Sequence, residues 1–186
     1  VLLNENFDSG VINNWNMIDG DMSTPYDDPQ VSILPNSFHL VADYDSLSSG
    51  DSVMAATSWF DDTTSANNFL ISPLLNLPTI GNFLNFQAMS VDGSYPDGLQ
   101  IYYAYNNSSI DSLMVNEVLF DTIAIPSVST NFQVNLSDIP LNTDFYIVFR
   151  HYATNQYILS LDNISVVTND LTTIEDIKEP KVLIYP

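Results

Sequence analysis

Carboxylates are the side chains of this sequence with the clearest capacity for chemistry. The 186 residues include 23 acidic side chains, 19 of them Asp, whereas residues 1–174 contain a single Lys or Arg, namely Arg150. Because an isolated charge is costly to bury, these unpaired carboxylates must face water, hold a cation, or do both. Asp is a short, hard oxygen ligand and a turn former, which suits calcium held in loops.

The same composition excludes several classes of function. Binding to nucleic acid or an anionic membrane needs Lys and Arg, so neither is expected as a partner. The sequence has no Cys, which excludes disulfides, thiolate metal sites and a Cys nucleophile. No apolar run approaches the roughly 20 residues of a transmembrane helix, so no membrane insertion is expected.

Enzyme chemistry has little support in the sequence. The two histidines, His39 and His151, each lie in a strand pattern beside apolar residues, where a packed, hydrogen-bonded side chain is more common than a catalytic base. No Gly-X-Ser-X-Gly or His-Glu-X-X-His motif occurs. Paired carboxylates could serve a glycosidase, but no pair stands out among so many acids. Catalytic residues are therefore not predicted.

Aromatic residues indicate binding instead. The chain has ten Tyr, ten Phe and two Trp. Those in or near predicted loops are Tyr26, Tyr44, Trp59, Tyr95, Tyr152 and Tyr157. Planar rings stack on the CH faces of sugars while Asp and Asn bond to hydroxyls, so Trp59, Tyr95 and Tyr152 are predicted ligand-binding residues. The alternative is that these rings cap the ends of the fold.

Arg150 lies within the apolar run 145–151. A buried guanidinium is costly unless it is paired, and acids are abundant, so a carboxylate partner in a structural ion pair is expected. The alternative is an arginine that faces a ligand at the sheet edge.

The elements that must position these residues are strands. Short β-rich runs with period-2 alternation, such as 83–89 and 99–105, recur between turn signals such as 92–94, 96–98 and 106–109. Ten to twelve strands at this spacing in one domain predict an all-β fold, a jelly-roll β-sandwich of two antiparallel sheets. Residues 1–168 form this predicted domain, the polar residues 169–180 a linker, and 181–186 a further segment.

Several segments, in this order, resemble the cleaved adhesin domain family, also called choice-of-anchor J domains, the jelly-roll modules of gingipain haemagglutinin and adhesin regions. The matching segments are 5–10 (ENFDSG), 15–21 (WNMIDGD), 66–73 (ANNFLISP), 146–152 (YIVFRHY) and 159–166 (LSLDNISV). The likeness covers roughly residues 3–167. The tail 181–186 (KVLIYP) resembles the truncated start of a type IX secretion C-terminal sorting domain.

The resemblance implies a calcium site where the first and last strands meet. The residues it implicates as metal ligands are Glu5, Asp8 and Asp162, with Asp19 and Asp21 as loop candidates. Two or three carboxylates with carbonyl and water oxygens would complete the six to eight ligands of calcium. The alternative is that these acids are solvated residues of turns and strand ends.

The resemblance also implies a role. It predicts a non-catalytic, adhesin-type module of a secreted protein at the outer cell surface, monomeric within a larger chain, that binds glycan or a host or matrix protein. The formal charge of −20 also favours an extracellular location. The alternatives are an accessory carbohydrate- or substrate-binding module of a secreted hydrolase or protease, and a structural spacer.

Overall fold

A computed structural model describes residues 1–45, 50–107 and 109–168. The predicted linker and sorting-domain start, residues 169–186, lie outside these ranges. The described residues form twelve strands and one short helix. The strands are β1 Leu3–Glu5, β2 Asn16–Asp19, β3 His39–Ala42, β4 Ser52–Thr57, β5 Asn68–Ile71, β6 Leu75–Asn76, β7 Asn82–Ser90, β8 Gly98–Ala104, β9 Val118–Thr122, β10 Thr130–Asn135, β11 Asp144–Tyr152 and β12 Ile158–Thr168, and the helix is α1 Ile110–Leu113.

The strands build two antiparallel sheets of six strands each. The first sheet has the order β10-β7-β12-β4-β3, with β1 also paired to β12. The second has the order β2-β5-β11-β8-β9, with β6 also paired to β11. Neighbours in each sheet are mostly distant in sequence, as in sandwiches with crossover connections. The predicted all-β sandwich of two antiparallel sheets is confirmed.

The main core lies between the sheets and is rich in aromatic rings. Phe86 on β7 contacts Phe149 on β11 edge to face, with ring centroids 5.7 Å apart, and so joins the two sheets. Phe120 and Phe132 pack on the same ring at 5.7 and 5.2 Å. The alternation of Leu84, Phe86 and Ala88 on β7 follows from the period of two, which sends every second side chain inward.

The central strand β11 is covered on both faces. Its inward residues join the main core, whereas Val148 belongs to a second cluster on the outer face that includes Phe69, Tyr102 and Leu113 of α1. This explains why residues 146–149 are apolar without alternation. No helix among the described residues is long and apolar enough to span a membrane.

The last strand, β12, changes partner along its length. Residues Ile158–Leu161 pair with β4, and Ile164 to Val166 pair with β1 on the same side. Between them the pairing with β7 shifts register from Asp162 to Ser165, and Asn163 takes a positive φ of 48°. Such a bulge bends the strand and re-aims a side chain. Asp162 therefore lies where the end of β1 and the start of β4 approach the same strand.

Candidate functional site

An open cleft lined by aromatic and polar side chains lies at one end of the sandwich. Its volume is about 390 Å³. The loops that follow β4, β7 and β11 meet there. The residues of this aromatic cleft are Trp59, Asp92, Tyr95, Asn155, Gln156 and Tyr157. Loop clusters at the end of a sandwich commonly carry binding functions, because the sheets hold them rigidly.

Trp59 is the centre of a set of rings. Tyr26 stacks on it with centroids 4.4 Å apart and planes 8° from parallel, and Tyr157 packs at 6.0 Å. The Tyr26 N–H donates to the Trp59 carbonyl at 2.9 Å, which fixes the stack through the backbone. A cluster of Val31, Leu34, Ala55 and Ile158 packs beneath Trp59 and Tyr157. The platform is therefore anchored by a small core of its own.

Carboxylates and amides surround the rings. Asp92, Asn155 and Gln156 line the aromatic cleft, and the Tyr157 hydroxyl donates to Gln30 Oε1 at 2.7 Å. Burial raises the pKa of Tyr157, and the carboxylates of Asp28 and Asp92 raise it further. The field at the aromatic cleft is thus negative, which disfavours anionic ligands.

The structure brings together two of the three predicted ligand-binding residues. Trp59 and Tyr95 both line the aromatic cleft, and Tyr95 is 52% exposed. Tyr152 is not among the lining residues. It lies on β11, and its hydroxyl donates to Asp121 Oδ1 at 2.6 Å. Its position in the sequence, beside a loop, did not reveal that the strand continues through it.

Arg150 lacks the carboxylate partner that the sequence predicts, at least within the described residues. Its Nε donates to Asn67 Oδ1 at 2.7 Å and its Nη1 donates to Gln100 Oε1 at 2.8 Å. The guanidinium also lies 5.7 Å from the centre of the Tyr152 ring. The expectation of an ion pair is wrong within the described residues, because amide oxygens accept the hydrogen bonds of the guanidinium.

A buried carboxylate of the described residues is hydrogen-bonded to a histidine instead. His151 Nε2 lies 2.8 Å from Asp97 Oδ1, and both side chains are fully buried. Ser58 Oγ donates to the same carboxylate oxygen at 2.6 Å. The prediction that His151 is a packed, hydrogen-bonded side chain is confirmed. Asp97 and Ser58 were missed, because Pro96-Asp97-Gly98 has the composition of an ordinary turn.

A second polar feature, the acidic corner, comprises Asp8, Asp43, Asp51 and Asp162. Asp8 follows β1 and Asp51 precedes β4, the two strands that meet β12 on either side of Asp162. The Ser52 N–H donates to Asp8 Oδ1 at 3.2 Å and to Asp51 Oδ1 at 2.9 Å. The turn before β4 thereby binds both carboxylates.

Burial and neighbouring carboxylates raise pKa values at the acidic corner. Burial, the largest cause, and the charges of Asp51, Asp8 and Asp43 raise the pKa of Asp162 to about 7, although the Asn163 N–H opposes this shift. Hydrogen bonding to the Asp8 carboxyl is the largest cause of the raised pKa of Asp51. Asp162 is only 7% exposed, and its Oδ1 has no hydrogen-bond partner among the described residues.

A small cavity of about 60 Å³ lies beside Asp162. Its polar lining includes Asp43, Asp45, Asp51, Ser160 and Asp162. The volume is enough for an ion with a few waters. Within the described ranges, however, no three Asp, Glu or His side chains are grouped so that they could hold a metal ion. A cation here would need to draw carboxylates together or use carbonyl and water oxygens.

The five predicted metal ligands do not share one place. Asp8 and Asp162 belong to the acidic corner, and Glu5 pairs with Ile164 on the neighbouring strand and accepts from the Phe7 N–H at 2.9 Å. Asp19 is the last residue of β2 in the other sheet, and Asp21 lies in the loop that follows it.

Asp19 and Asp21 serve as turn formers in their loop. Asp19 Oδ1 accepts from the N–H groups of Asp21 and Met22 at 3.2 and 2.7 Å. Asp21 accepts from the N–H groups of Ser23 and Asn67 at 2.9 and 2.8 Å. Burial raises the pKa of Asp21 despite these bonds. Backbone amides thus bond to one carboxylate oxygen of Asp19 and to both carboxylate oxygens of Asp21.

Comparisons with known proteins agree with the resemblance noted in the sequence. The curated relative Lys-gingipain W83 of Porphyromonas gingivalis is 25% identical over 178 residues, which is 90% of this chain. The chain spans only about 10% of that relative's length.

Solved structures share the fold. The K3 cleaved adhesin domain of Lys-gingipain from P. gingivalis is 21% identical, with a TM-score of 0.65 over 90% of this chain and 98% of that one. The K1 domain of the same protein is 20% identical, with a TM-score of 0.63 over 91% of this chain and 99% of that one. A carbohydrate-binding module in complex with β-1,4-galactotriose is 11% identical, with a TM-score of 0.55 over 89% of this chain and 95% of that one.

A family model covers a similar share of the chain. Residues 1–166, nearly the whole of the described sandwich, match the family described as the Cleaved Adhesin Domain. The order of the motifs in the sequence and the two antiparallel sheets lead to the same assignment. The chain belongs to the cleaved adhesin domain family.

Proposed function

We propose that this chain is a non-catalytic binding module that takes glycan in the aromatic cleft. The observation that carries the proposal is the stacked pair of Tyr26 and Trp59 beside Tyr95, with Asp92, Asn155 and Gln156 around them. Sites for small ligands combine apolar or aromatic walls with a few convergent polar groups. Sugars match such a wall because one face of the ring is apolar while its hydroxyls point outward.

The charge of the aromatic cleft narrows the class of glycan. Asp92 lines the aromatic cleft, Asp28 lies close enough to act on Tyr157, and no Lys or Arg occurs in the sequence before Arg150. A uronate or sialate would bring another negative charge into this field without a cation to pair with. Neutral oligosaccharides are therefore the proposed ligands.

A second candidate is a basic segment of a host or matrix protein. The same two carboxylates beside exposed rings favour a Lys or Arg side chain, which is attracted to aromatic faces. The role of an accessory module has separate support, since the chain matches a tenth of a relative whose name is that of a protease. We propose, from membership of the cleaved adhesin domain family, that this protein is secreted to the outer cell surface.

The glycan proposal is tested with a neutral-oligosaccharide array followed by calorimetry. Tyr95→Ala, which removes an exposed ring from the aromatic cleft, should weaken binding at least about tenfold, or ~1.4 kcal/mol. Tyr105→Ala is the matched control, because Tyr105 is comparably exposed but lies outside the aromatic cleft. Trp59→Ala should abolish binding.

Three results would contradict the proposal. If the wild-type chain binds no glycan on the array, the proposal is wrong. If it binds basic peptides alone, the second candidate is favoured. Equal losses in Tyr95→Ala and Tyr105→Ala would move the site away from the aromatic cleft.

We also propose a structural calcium ion at the acidic corner. The family resemblance suggests it, and the residues fit a cation, because the buried Asp162 Oδ1 lacks a partner among the described residues and three more carboxylates act on it. Asp162 would hold the ion with carbonyl and water oxygens, and Asp8 and Asp51 would have to move closer to join it, because the three carboxylates are not grouped as metal ligands in the described part of the structure. The ion would tie β1, β4 and β12 together.

A further inference from the structure

We infer that Ser58, Asp97 and His151 form a buried hydrogen-bonded clamp that positions the three walls of the aromatic cleft. Asp97 is the positioning residue at its centre. The inference rests on the proposed function of the aromatic cleft and adds what sets its shape. None of the three side chains lines the aromatic cleft, so their role is to hold the residues that do.

The three walls are the loops after β4, β7 and β11, which carry Trp59, Tyr95 and Tyr157 respectively. Ser58 joins the wall of Trp59 to the wall of Tyr157. It immediately precedes Trp59, its N–H donates to the Tyr157 carbonyl at 3.2 Å, and its carbonyl accepts from the Asn155 N–H at 3.2 Å. The Ser58 backbone is thus bonded to two of the lining residues in the loop after β11. Its side chain is left for another contact, the 2.6 Å bond to Asp97.

Asp97 fixes the second wall, the loop from Val91 to Asp97 that carries Asp92 and Tyr95. Its N–H donates to Ser90 Oγ at 2.8 Å, which closes that loop at its base. Its carbonyl accepts from the Ile125 N–H at 2.9 Å. The bond from Ser58 Oγ to its carboxylate is therefore a direct link between the wall of Trp59 and the wall of Tyr95.

His151 completes the clamp from the central strand. Because a carboxylate only accepts, the Nε2 of His151 carries the proton in its 2.8 Å bond to Asp97 Oδ1. Phe38 packs against the imidazole edge with centroids 6.3 Å apart. One carboxylate oxygen therefore receives two donors, one from a loop of the aromatic cleft and one from the rigid core.

This arrangement is costly for stability. Asp97 Oδ2 and His151 Nδ1 are buried without a hydrogen-bond partner among the described residues. A buried polar network whose atoms are only partly paired is worse for stability than an apolar core of the same shape. Local violations of this kind are typical of functional sites. The clamp is accordingly assigned to the geometry of the aromatic cleft rather than to stability.

The test compares two buried serines. Ser58→Ala removes the donor to Asp97, whereas Ser72→Ala removes a buried hydroxyl that serves Ile147 at the opposite part of β11. Both variants should lose thermal stability. Ser58→Ala alone should weaken the binding of the oligosaccharide identified on the array, by roughly tenfold, because the displaced aromatic and polar groups of the cleft no longer meet the sugar together. Affinity within about twofold of wild type in Ser58→Ala would overturn the inference.

A rescue experiment separates the hydrogen bonds from the charge. Asp97→Asn keeps an acceptor oxygen for both Ser58 and His151, so its affinity should stay near that of wild type, while Asp97→Ala should lose affinity as Ser58→Ala does. Equal losses in Asp97→Asn and Asp97→Ala would show that the acceptor role is not what matters and would overturn the clamp.

A readout without ligand keeps this test separate from the proposed function. In a Trp15→Phe background Trp59 is the remaining tryptophan, and acrylamide quenching reports its exposure. Ser58→Ala should increase the quenching relative to Ser72→Ala. If the wild-type chain binds no glycan, only the proposed function is contradicted. If quenching of Trp59 is unchanged in Ser58→Ala, the clamp is contradicted.

Discussion

At the scale of single residues, Asp162 shows how burial and neighbouring charge act on one carboxyl group. Its raised pKa of about 7 lies well above the ordinary value of 3.8. Folding therefore favours the protonated form. The stability that this proton contributes is complete below about pH 4 and is lost as the pH rises through about 7. A cation bound to the carboxylate would oppose this loss by favouring the charged form.

We predict that Asp162→Asn stabilises the calcium-free protein at pH 7.5. The amide mimics the protonated acid, so the gain in the free energy of unfolding should be about 2 kcal/mol, because solvent screens part of the shift. Urea unfolding of both proteins between pH 4 and pH 8 measures it. The difference should shrink towards pH 4.

The control for this prediction is Asp138→Asn, which removes an exposed carboxylate elsewhere on the sandwich. It should leave the pH dependence close to that of wild type. A wild-type stability that falls no faster than that of Asp162→Asn between pH 4 and pH 7 would contradict the assignment of the shift.

At the scale of elements, the pairing of β8 with β11 depends on a close approach at the first residue of β8. A Cβ atom on Gly98 would lie 2.5 Å from the Tyr152 carbonyl oxygen and 3.1 Å from its ring. The obstacle is backbone of the central strand, which cannot rotate away. Gly98 also follows Asp97 directly, so the strand start and the clamp share one turn.

We predict that Gly98→Ala lowers the free energy of unfolding by about 2–3 kcal/mol, the usual cost of overpacking with a shift of the backbone. Chemical denaturation measures the loss. Gly93→Ala is the matched control, because the nearest atom that its Cβ would meet is the Ser127 hydroxyl oxygen at 2.8 Å, which can rotate away, and the next is Ser127 Cβ at 3.0 Å. Its loss should be below about 1 kcal/mol. Similar losses in the two variants would show that backbone proximity does not decide the effect.

At the scale of the whole molecule, the formal charge of −20 works against compactness. Most of this charge lies on the surface, where salt screens it, but the acidic corner concentrates several carboxylates where three strands meet. A divalent ion at that point would bind the folded state and not the unfolded chain, and would therefore raise stability by mass action.

We predict that calcium raises the melting temperature by several degrees and that a chelator reverses the rise. Saturation at about 100 times the dissociation constant would contribute about 2.7 kcal/mol. Differential scanning calorimetry measures the change, with magnesium at equal ionic strength as the control for screening, since magnesium demands a stricter geometry.

Two variants locate the calcium effect. Asp162→Asn should remove the rise in melting temperature caused by calcium. Asp19→Asn should keep that rise but lower the melting temperature both with calcium and with chelator, because Asp19 holds a turn. An equal response to magnesium, or a calcium response that survives in Asp162→Asn, would refute the site at the acidic corner.

The sequence alone determined the class of fold, and its composition set the expectations about partners. Alternation in runs such as 83–89 follows from the local geometry of a strand, so the two-layer sandwich was predictable, and the motifs around Arg150 and Asp162 carried the family. The scarcity of Lys and Arg likewise gave the prediction that nucleic acid is not a partner. These properties depend on near neighbours in the chain or on composition.

Tertiary structure decided which side chains meet. Asp162 joins Asp8 and Asp51 because β12 exchanges β4 for β1 as its partner, and no spacing in the sequence encodes that exchange. Tyr26 stacks on Trp59 across 33 residues, and Asp97 reaches Ser58 and His151 from a third loop. Pairing between distant strands sets such contacts. A pattern with a period of two gives the face of each residue and leaves its neighbours across the sheet undetermined.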